Sequence, residues 1–222
     1  MDLKRGLFWL LLWGVSFGYI ESAVVVYLRE IYYPNGFSFP LVPIDENILK
    51  TETLREAATL LLLWSTAVLS YSRLQSRIAA FFILFGVWDI FYYIFLKILL
   101  DWPASPATWD ILFLIPVPWA GPVWAPVTVS LGLIAASVAV LAKNEKGRYI
   151  RFGPLSLLAA LAGACTVIAS FIIPAVPVLK GGMPGPFPAI IFWSGYALGA
   201  FAYIYAIYGD RDSTHSLHDK RL

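Results

Sequence analysis

Histidine is almost missing from this 222-residue chain: its two copies, His215 and His218, both stand in the polar C-terminal segment. No imidazole is therefore available to the apolar body of the protein. That excludes histidine-ligated haem or copper, histidine-carboxylate di-iron centres, and any Ser-His or Cys-His nucleophile. Cysteine occurs once, as Cys165, so an intramolecular disulfide and a CxxC or zinc cluster are excluded as well. Neither a glycine-rich phosphate loop nor the paired aspartate-rich motif that holds magnesium-diphosphate in prenyl transferases is present, and no cofactor is expected. Charge is sparse, at 14% of residues, and the net of +2 is too small to suggest a nucleic-acid partner. The His215-x2-His218 pair reads as part of a disordered tail, 209–222, rather than as a metal site.

What the chain has in quantity is apolar length. Hydrophobic residues make up 59% of it, aromatics 16%, and the mean hydropathy is +0.74. Runs of about 20 apolar residues, the length that crosses hydrocarbon, recur throughout. The fold class expected is an all-α polytopic membrane bundle of about six helices, forming a single transmembrane domain over 1–208. The spans are placed at 6–28, 54–71, 78–100, 123–142, 154–173 and 188–208. Pro154, after Gly153, suits the first position of the fifth helix, and Pro188 that of the sixth. The first run follows Lys4 and Arg5 as a signal peptide would. It is too long, and Glu21-Ser22-Ala23 is a poor cleavage site, so retention as a helix is expected.

Charge in the connections sets the expected orientation. With the N-terminus inside, eleven basic residues (Lys4, Arg5, Arg73, Arg77, Lys143, Lys146, Arg148, Arg151, Arg211, Lys220, Arg221) fall on the cytoplasmic side. Five (Arg29, Lys50, Arg55, Lys97, Lys180) fall outside. The expectation is a multi-pass protein of the cell inner membrane with both termini cytoplasmic. The outer loop 29–53, rich in proline and aromatics, is expected to fold over the external end as a lid. Segment 101–122 is expected to be a short re-entrant or interfacial element. In it 107–115 would make about two turns of helix, which Pro116, Pro118 and Pro122 prevent from continuing. An ordinary surface loop is the plainer alternative. No internal repeat supports an inverted-repeat transporter.

Against this apolar background three carboxylates fall inside or beside spans: Glu21, Asp89 and, less deeply, Asp110. An ionised group at the centre of a membrane helix costs roughly 2.5–3.5 kcal/mol on insertion scales, so a functional pocket is the default hypothesis. Glu21 lies about 10 Å from the outer end of its helix, at 1.5 Å per residue. Asp89 stands near the middle of the third span, and Asp89, Tyr93 and Lys97, four apart, share one stripe. Arg29, Arg55, Glu56 and Asp110 reach the same outer half, while the cytoplasmic half has no comparable set. Glu21, Asp89 and Asp110 are the candidate acid, base or charge-stabilising groups. Arg29, Arg55 and Lys97 could hold an anionic group, with Glu56 and Tyr93 beside them and Trp88 and Trp119 walling an apolar pocket.

Each residue also has a plainer reading. Glu21 can hydrogen-bond across helices, Asp89 and Lys97 can be an ion pair, and Asp101 and Asp110 can cap helices. Charges at Arg29, Arg55 and Glu56 can simply be solvated at helix ends. Burial disfavours the charged form of a carboxylate and a nearby guanidinium favours it, and both arrangements fit the sequence. The small-residue faces Gly14-x3-Gly18-x3-Ser22, Ala159-x3-Gly163 and Gly195-x3-Gly199 read as helix packing.

Three stretches carry a resemblance: Gly18-Tyr19-Ile20-Glu21 through Tyr27-Leu28-Arg29, Trp88-Asp89-Ile90-Phe91-Tyr92-Tyr93, and Trp109-Asp110-Ile111-Leu112-Phe113-Leu114-Ile115-Pro116-Val117-Pro118-Trp119. They resemble uncharacterised bacterial polytopic membrane proteins of similar size, a likeness over roughly the first 130 residues that implies no activity. Three functional expectations remain. The first is binding of, or acid/base action on, a lipid-like ligand in the outer half of the bundle. The second is a proton- or cation-coupled transporter or channel. The third is a non-catalytic subunit or assembly factor. The partners expected are membrane lipids and either a homo-oligomer mate or another subunit of a membrane complex.

Overall fold

The computed structural model describes residues 2–208. Its elements are α1 (Leu3–Tyr32), α2 (Glu46–Ser70), α3 (Leu74–Leu100), β1 (Trp109–Phe113), β2 (Trp119–Pro122), α4 (Trp124–Glu145), α5 (Pro154–Ala175), a 3-10 turn at Val178–Lys180, and α6 (Ala189–Tyr208). Five of the six long helices are long and apolar enough to cross a membrane. The sixth, α2, starts with a charged stretch containing Glu46, Lys50, Glu52, Arg55 and Glu56 and is apolar only beyond it. The disordered tail expected at 209–222, with its two histidines, lies outside the described residues.

Side-chain meetings fix the directions. Gly14 of α1 faces Val87 of α3, Gly18 faces Phe91, and the Ser22 hydroxyl donates to the Tyr92 carbonyl at 3.0 Å. The two helices therefore run parallel. A Cβ on Gly14 would sit 2.8 Å from Val87 Cγ1, so the glycine is what allows this approach. Helix α2 runs the opposite way: Arg55 meets Glu21, and further along Trp64 meets Phe81. Helix α4 is antiparallel to α3, with Gly86 against Ser130 and Ile134 near the middle and the Asn144 amide donating to Ser76 Oγ (3.0 Å) at the far end. Helices α1 to α4 thus alternate in direction. The main core joins Leu10, Leu63, Ala67, Ile83, Leu84, Val87 and Trp88.

Helices α5 and α6 form a tight pair of their own. A Cβ on Gly163 would lie 2.8 Å from the Gly195 carbonyl oxygen and from Gly199 N, so the backbones nearly touch. The pair joins α4 through Tyr196, packed on Gly132, and through the Tyr203 hydroxyl, which donates to the Ala136 carbonyl at 2.8 Å.

Two expectations about the connections are corrected. The 107–115 helix does not form; Trp109–Phe113 pairs antiparallel with Trp119–Pro122, Asp110 opposite Gly121 and Ile111 opposite Ala120, with a bulge before Phe113. The prolines that forbid a helix also supply the turn, and cross-strand pairing satisfies backbone groups that a loop would leave bare in an apolar setting. This hairpin does fold back into the bundle: Phe113 stacks on Phe85 (6.1 Å) and meets Trp88 edge-on (6.1 Å), both near the middle of α3. Its other side rests on α5, where Phe171 covers Gly121. The lid loop is also shorter than expected. α1 continues to Tyr32, and Asp45 caps α2 by accepting from Asn47 N (2.9 Å) and Ile48 N (3.3 Å), which starts that helix at Glu46.

Candidate functional site

Polar groups gather at the hairpin end of the bundle in two clusters. In the first, the Arg55 guanidinium donates to the buried Glu21 carboxylate and, on its own helix, to Glu52 Oε2 (2.8 Å from Nε). Glu56, the next residue, turns to the hairpin and accepts the Leu114 backbone N–H with both oxygens, at 3.0 and 2.9 Å. Helix α2 can place Arg55 and Glu56 on different partners because successive residues point about 100° apart.

The second cluster lies between α1, α3 and β1. Arg29 Nη2 is 3.4 Å from Asp110 Oδ1, with the two side chains 9% and 4% exposed. The guanidinium carbon lies over two rings, 3.7 Å from the centroid of Trp102 and 4.7 Å from that of Phe37. Burial pushes the Asp110 carboxyl up to about 6, opposed first by the Arg29 charge and then by the Ile111 backbone N–H and the Tyr93 hydroxyl. Among the described residues, Asp110 Oδ2 has no partner within direct hydrogen-bond geometry. Deeper in α3, Asp89 Oδ2 accepts from the Ser130 hydroxyl at 2.7 Å and lies within electrostatic reach of Asp110. Tyr92 stands between the clusters and feels Asp110, Arg29, Glu21 and Arg55 together.

Of the sequence-predicted residues, Glu21, Arg55 and Glu56 therefore share one cluster, and Arg29, Tyr93, Asp89 and Asp110 the other. Trp88 and Trp119 flank Phe113 of the hairpin (6.1 and 5.5 Å), and the indole N–H of each is unpartnered. Lys97 stands apart: its ammonium pairs with Asp101 at 2.7 Å on the exposed end of α3, where this contact draws the Asp101 carboxyl below its ordinary value. Asp101 closes α3 in the left-handed conformation (φ 51°), and Asp110 caps no helix but sits within β1.

Four participants were not read from the sequence. Glu52 was legible in principle, three residues before Arg55 on one helix face. Ser130, Trp102 and Phe37 carried no signal, because their roles come from tertiary contact alone.

An apolar groove of about 480 Å³, open on one side, begins beside the first cluster. Ala57, Leu60, Leu61, Trp64, Phe81 and Ile115 line it. Ala57 follows Glu56 and Ile115 follows Leu114, so the Glu56–Leu114 contact stands at the groove's head. Among the described residues no group of three His, Cys, Asp or Glu side chains could hold a metal ion. Comparison with protein-family models, with curated proteins and with solved structures finds no match.

Proposed function

We propose that this integral membrane protein takes up a lipid-like molecule from the side. Its apolar chain lies in the groove between α2 and α3, and its polar end meets Glu56. The observation that carries the reading is that the groove's lining residues Ala57 and Ile115 directly follow Glu56 and Leu114, whose carboxylate and backbone N–H meet at its end. Five carboxylates, Glu21, Glu52, Glu56, Asp89 and Asp110, face two guanidiniums, and both guanidiniums are already engaged. The surplus favours a polar end that donates hydrogen bonds or carries positive charge over the anionic group that Arg29 and Arg55 alone would suggest. Glu56 is the residue placed to exchange a proton with such a ligand, and Glu21 is held by Arg55.

The distribution of lysine and arginine supports an orientation with the hairpin end outside and both termini in the cytoplasm of a bacterial inner membrane. The test is photo-crosslinking in nanodiscs with a diazirine-bearing aminolipid. Labelled peptides should come from 57–64 and around Ile115, and Leu61→Trp, which fills the groove, should remove them. Labelling spread evenly over the lipid-facing surfaces of all six helices would reject the groove as a site.

A further inference from the structure

The second cluster lies outside that groove, and its charges do not balance. Asp89 and Asp110 interact electrostatically, yet only Arg29 compensates them, and it contacts Asp110 alone. The groups facing the pair are Arg29 from α1, Tyr92 and Tyr93 from α3, and the uncharged Ser130 from α4. On the α5 side the hairpin meets Phe171, an apolar ring. If both carboxylates ionise, one negative charge is left over in an apolar, water-poor setting, where an uncompensated ion is strongly disfavoured. An independent observation marks the same spot: among the described residues Asp110 Oδ2, on a side chain 4% exposed, has no partner within direct hydrogen-bond geometry and remains free to accept a hydrogen bond.

We propose that Asp89 is a proton-binding site beneath the hairpin, carrying one exchangeable proton that relieves the charge it shares with nearby Asp110. The single positive charge it supplies is the amount the pair lacks once Arg29 is counted. Asp89 is the carrier, because its partner is a neutral hydroxyl while Asp110 has the guanidinium. A metal cation fits less well: the Arg29 guanidinium stands 3.4 Å from Asp110, and among the described residues no three acidic or other ligating groups gather. Uptake is a simple protonation of Asp89 by water-borne protons, and release returns the same proton.

The test is infrared difference spectroscopy of the full chain in nanodiscs, following the carbonyl stretch of a protonated carboxylic acid through a pH titration. Among the acid bands that titrate in the native protein, one should belong to Asp89. It should disappear in Asp89→Asn, which leaves a balanced Arg29–Asp110 pair, and remain in Glu56→Gln and Glu21→Gln. Ser130→Ala, which keeps both carboxylates, should move its midpoint and serves if Asp89→Asn does not fold. Absence of any band in the native protein, or a band unchanged in both Asp89→Asn and Ser130→Ala, overturns the proposal. So does thermal stability that rises with sodium in the native protein but not in Asp89→Asn, which would make the occupant a metal cation.

Discussion

Glu56 holds the backbone of Leu114: one carboxylate on α2 takes the N–H that follows β1, at 3.0 and 2.9 Å, and so ties the hairpin to the helix. The same side chain stands at the head of the apolar groove, so its structural and functional roles must be separated by the choice of substitution.

Glu56→Ala leaves the Leu114 N–H without its acceptor and should destabilise the protein by about 1–3 kcal/mol. Glu56→Gln keeps an acceptor oxygen and should recover most of that loss while removing the charge. Thermal unfolding in detergent gives the stabilities, and lipid photo-labelling gives the binding. If glutamine and alanine are equally destabilised, the charge itself holds the hairpin.

Arg55→Met should be costly, on the order of 3 kcal/mol, because it leaves Glu21 buried with no counter-charge. Adding Glu21→Gln to it should restore a large part of the stability, since the stranded charge then disappears. A double-mutant cycle measures the coupling. Simple additivity would mean that Glu21 reaches water by another route.

Arg29→Lys preserves the charge beside Asp110 but gives up the guanidinium's contacts with the Trp102 and Phe37 rings. A loss of about 1 kcal/mol is expected, with a change in the fluorescence of Trp102. Unchanged emission and stability would show that the ring contacts contribute nothing.

Protonation of Asp110 gives a signed pH effect. Its carboxyl titrates at about 6 in the folded protein, above its ordinary 3.8. Its contribution to stability is therefore full below about pH 4 and is lost as pH rises through about 6. The unfolding temperature of the native protein should fall across that interval, and Asp110→Asn should flatten the fall. An equal slope in the variant would assign the effect to another group.

Gly163→Ala and Gly199→Ala should differ sharply although both sit in the α5–α6 seam. A Cβ on Gly163 meets backbone at 2.8 Å, whereas one on Gly199 meets nothing within 4 Å. The first should cost about 1–3 kcal/mol by forcing the helices apart. The second should be neutral or gain up to about 1 kcal/mol from helix propensity. Comparable unfolding temperatures for the two would contradict the seam.

The helices were legible because a run such as 78–100 must be apolar to lie in lipid, and Gly153-Pro154 marks a start. The extension of α2 back to Glu46 was not, because it depends on one cap, Asp45, preceding a polar stretch that reads as a loop. The hairpin was misread for a related reason. Ala107–Ile115 has the composition of a short helix, and only its pairing partner at Trp119–Pro122 reveals the strand. At the site, intramembrane acids were visible as an anomaly, and the structure brings Glu21, Arg55 and Glu56 together at one point and Arg29, Asp89, Tyr93 and Asp110 at another. Their division into two groups was invisible, since the partners of Arg55 and Arg29 are settled by how α1 rotates against α2 and β1. Lys97 shows the limit of stripe arguments: four residues beyond Tyr93, it has already left the protein interior for Asp101.

Phe171 on Gly121 has a bearing on biogenesis. The residues that build both clusters are all synthesised by Ser130, yet the hairpin beneath which they sit lacks its outer wall until α5 emerges some forty residues later. A ribosome-bound intermediate ending after α4 therefore carries the acids with β2 uncovered on the side that Phe171 will close. Closure of that side of the hairpin waits for the C-terminal helix pair.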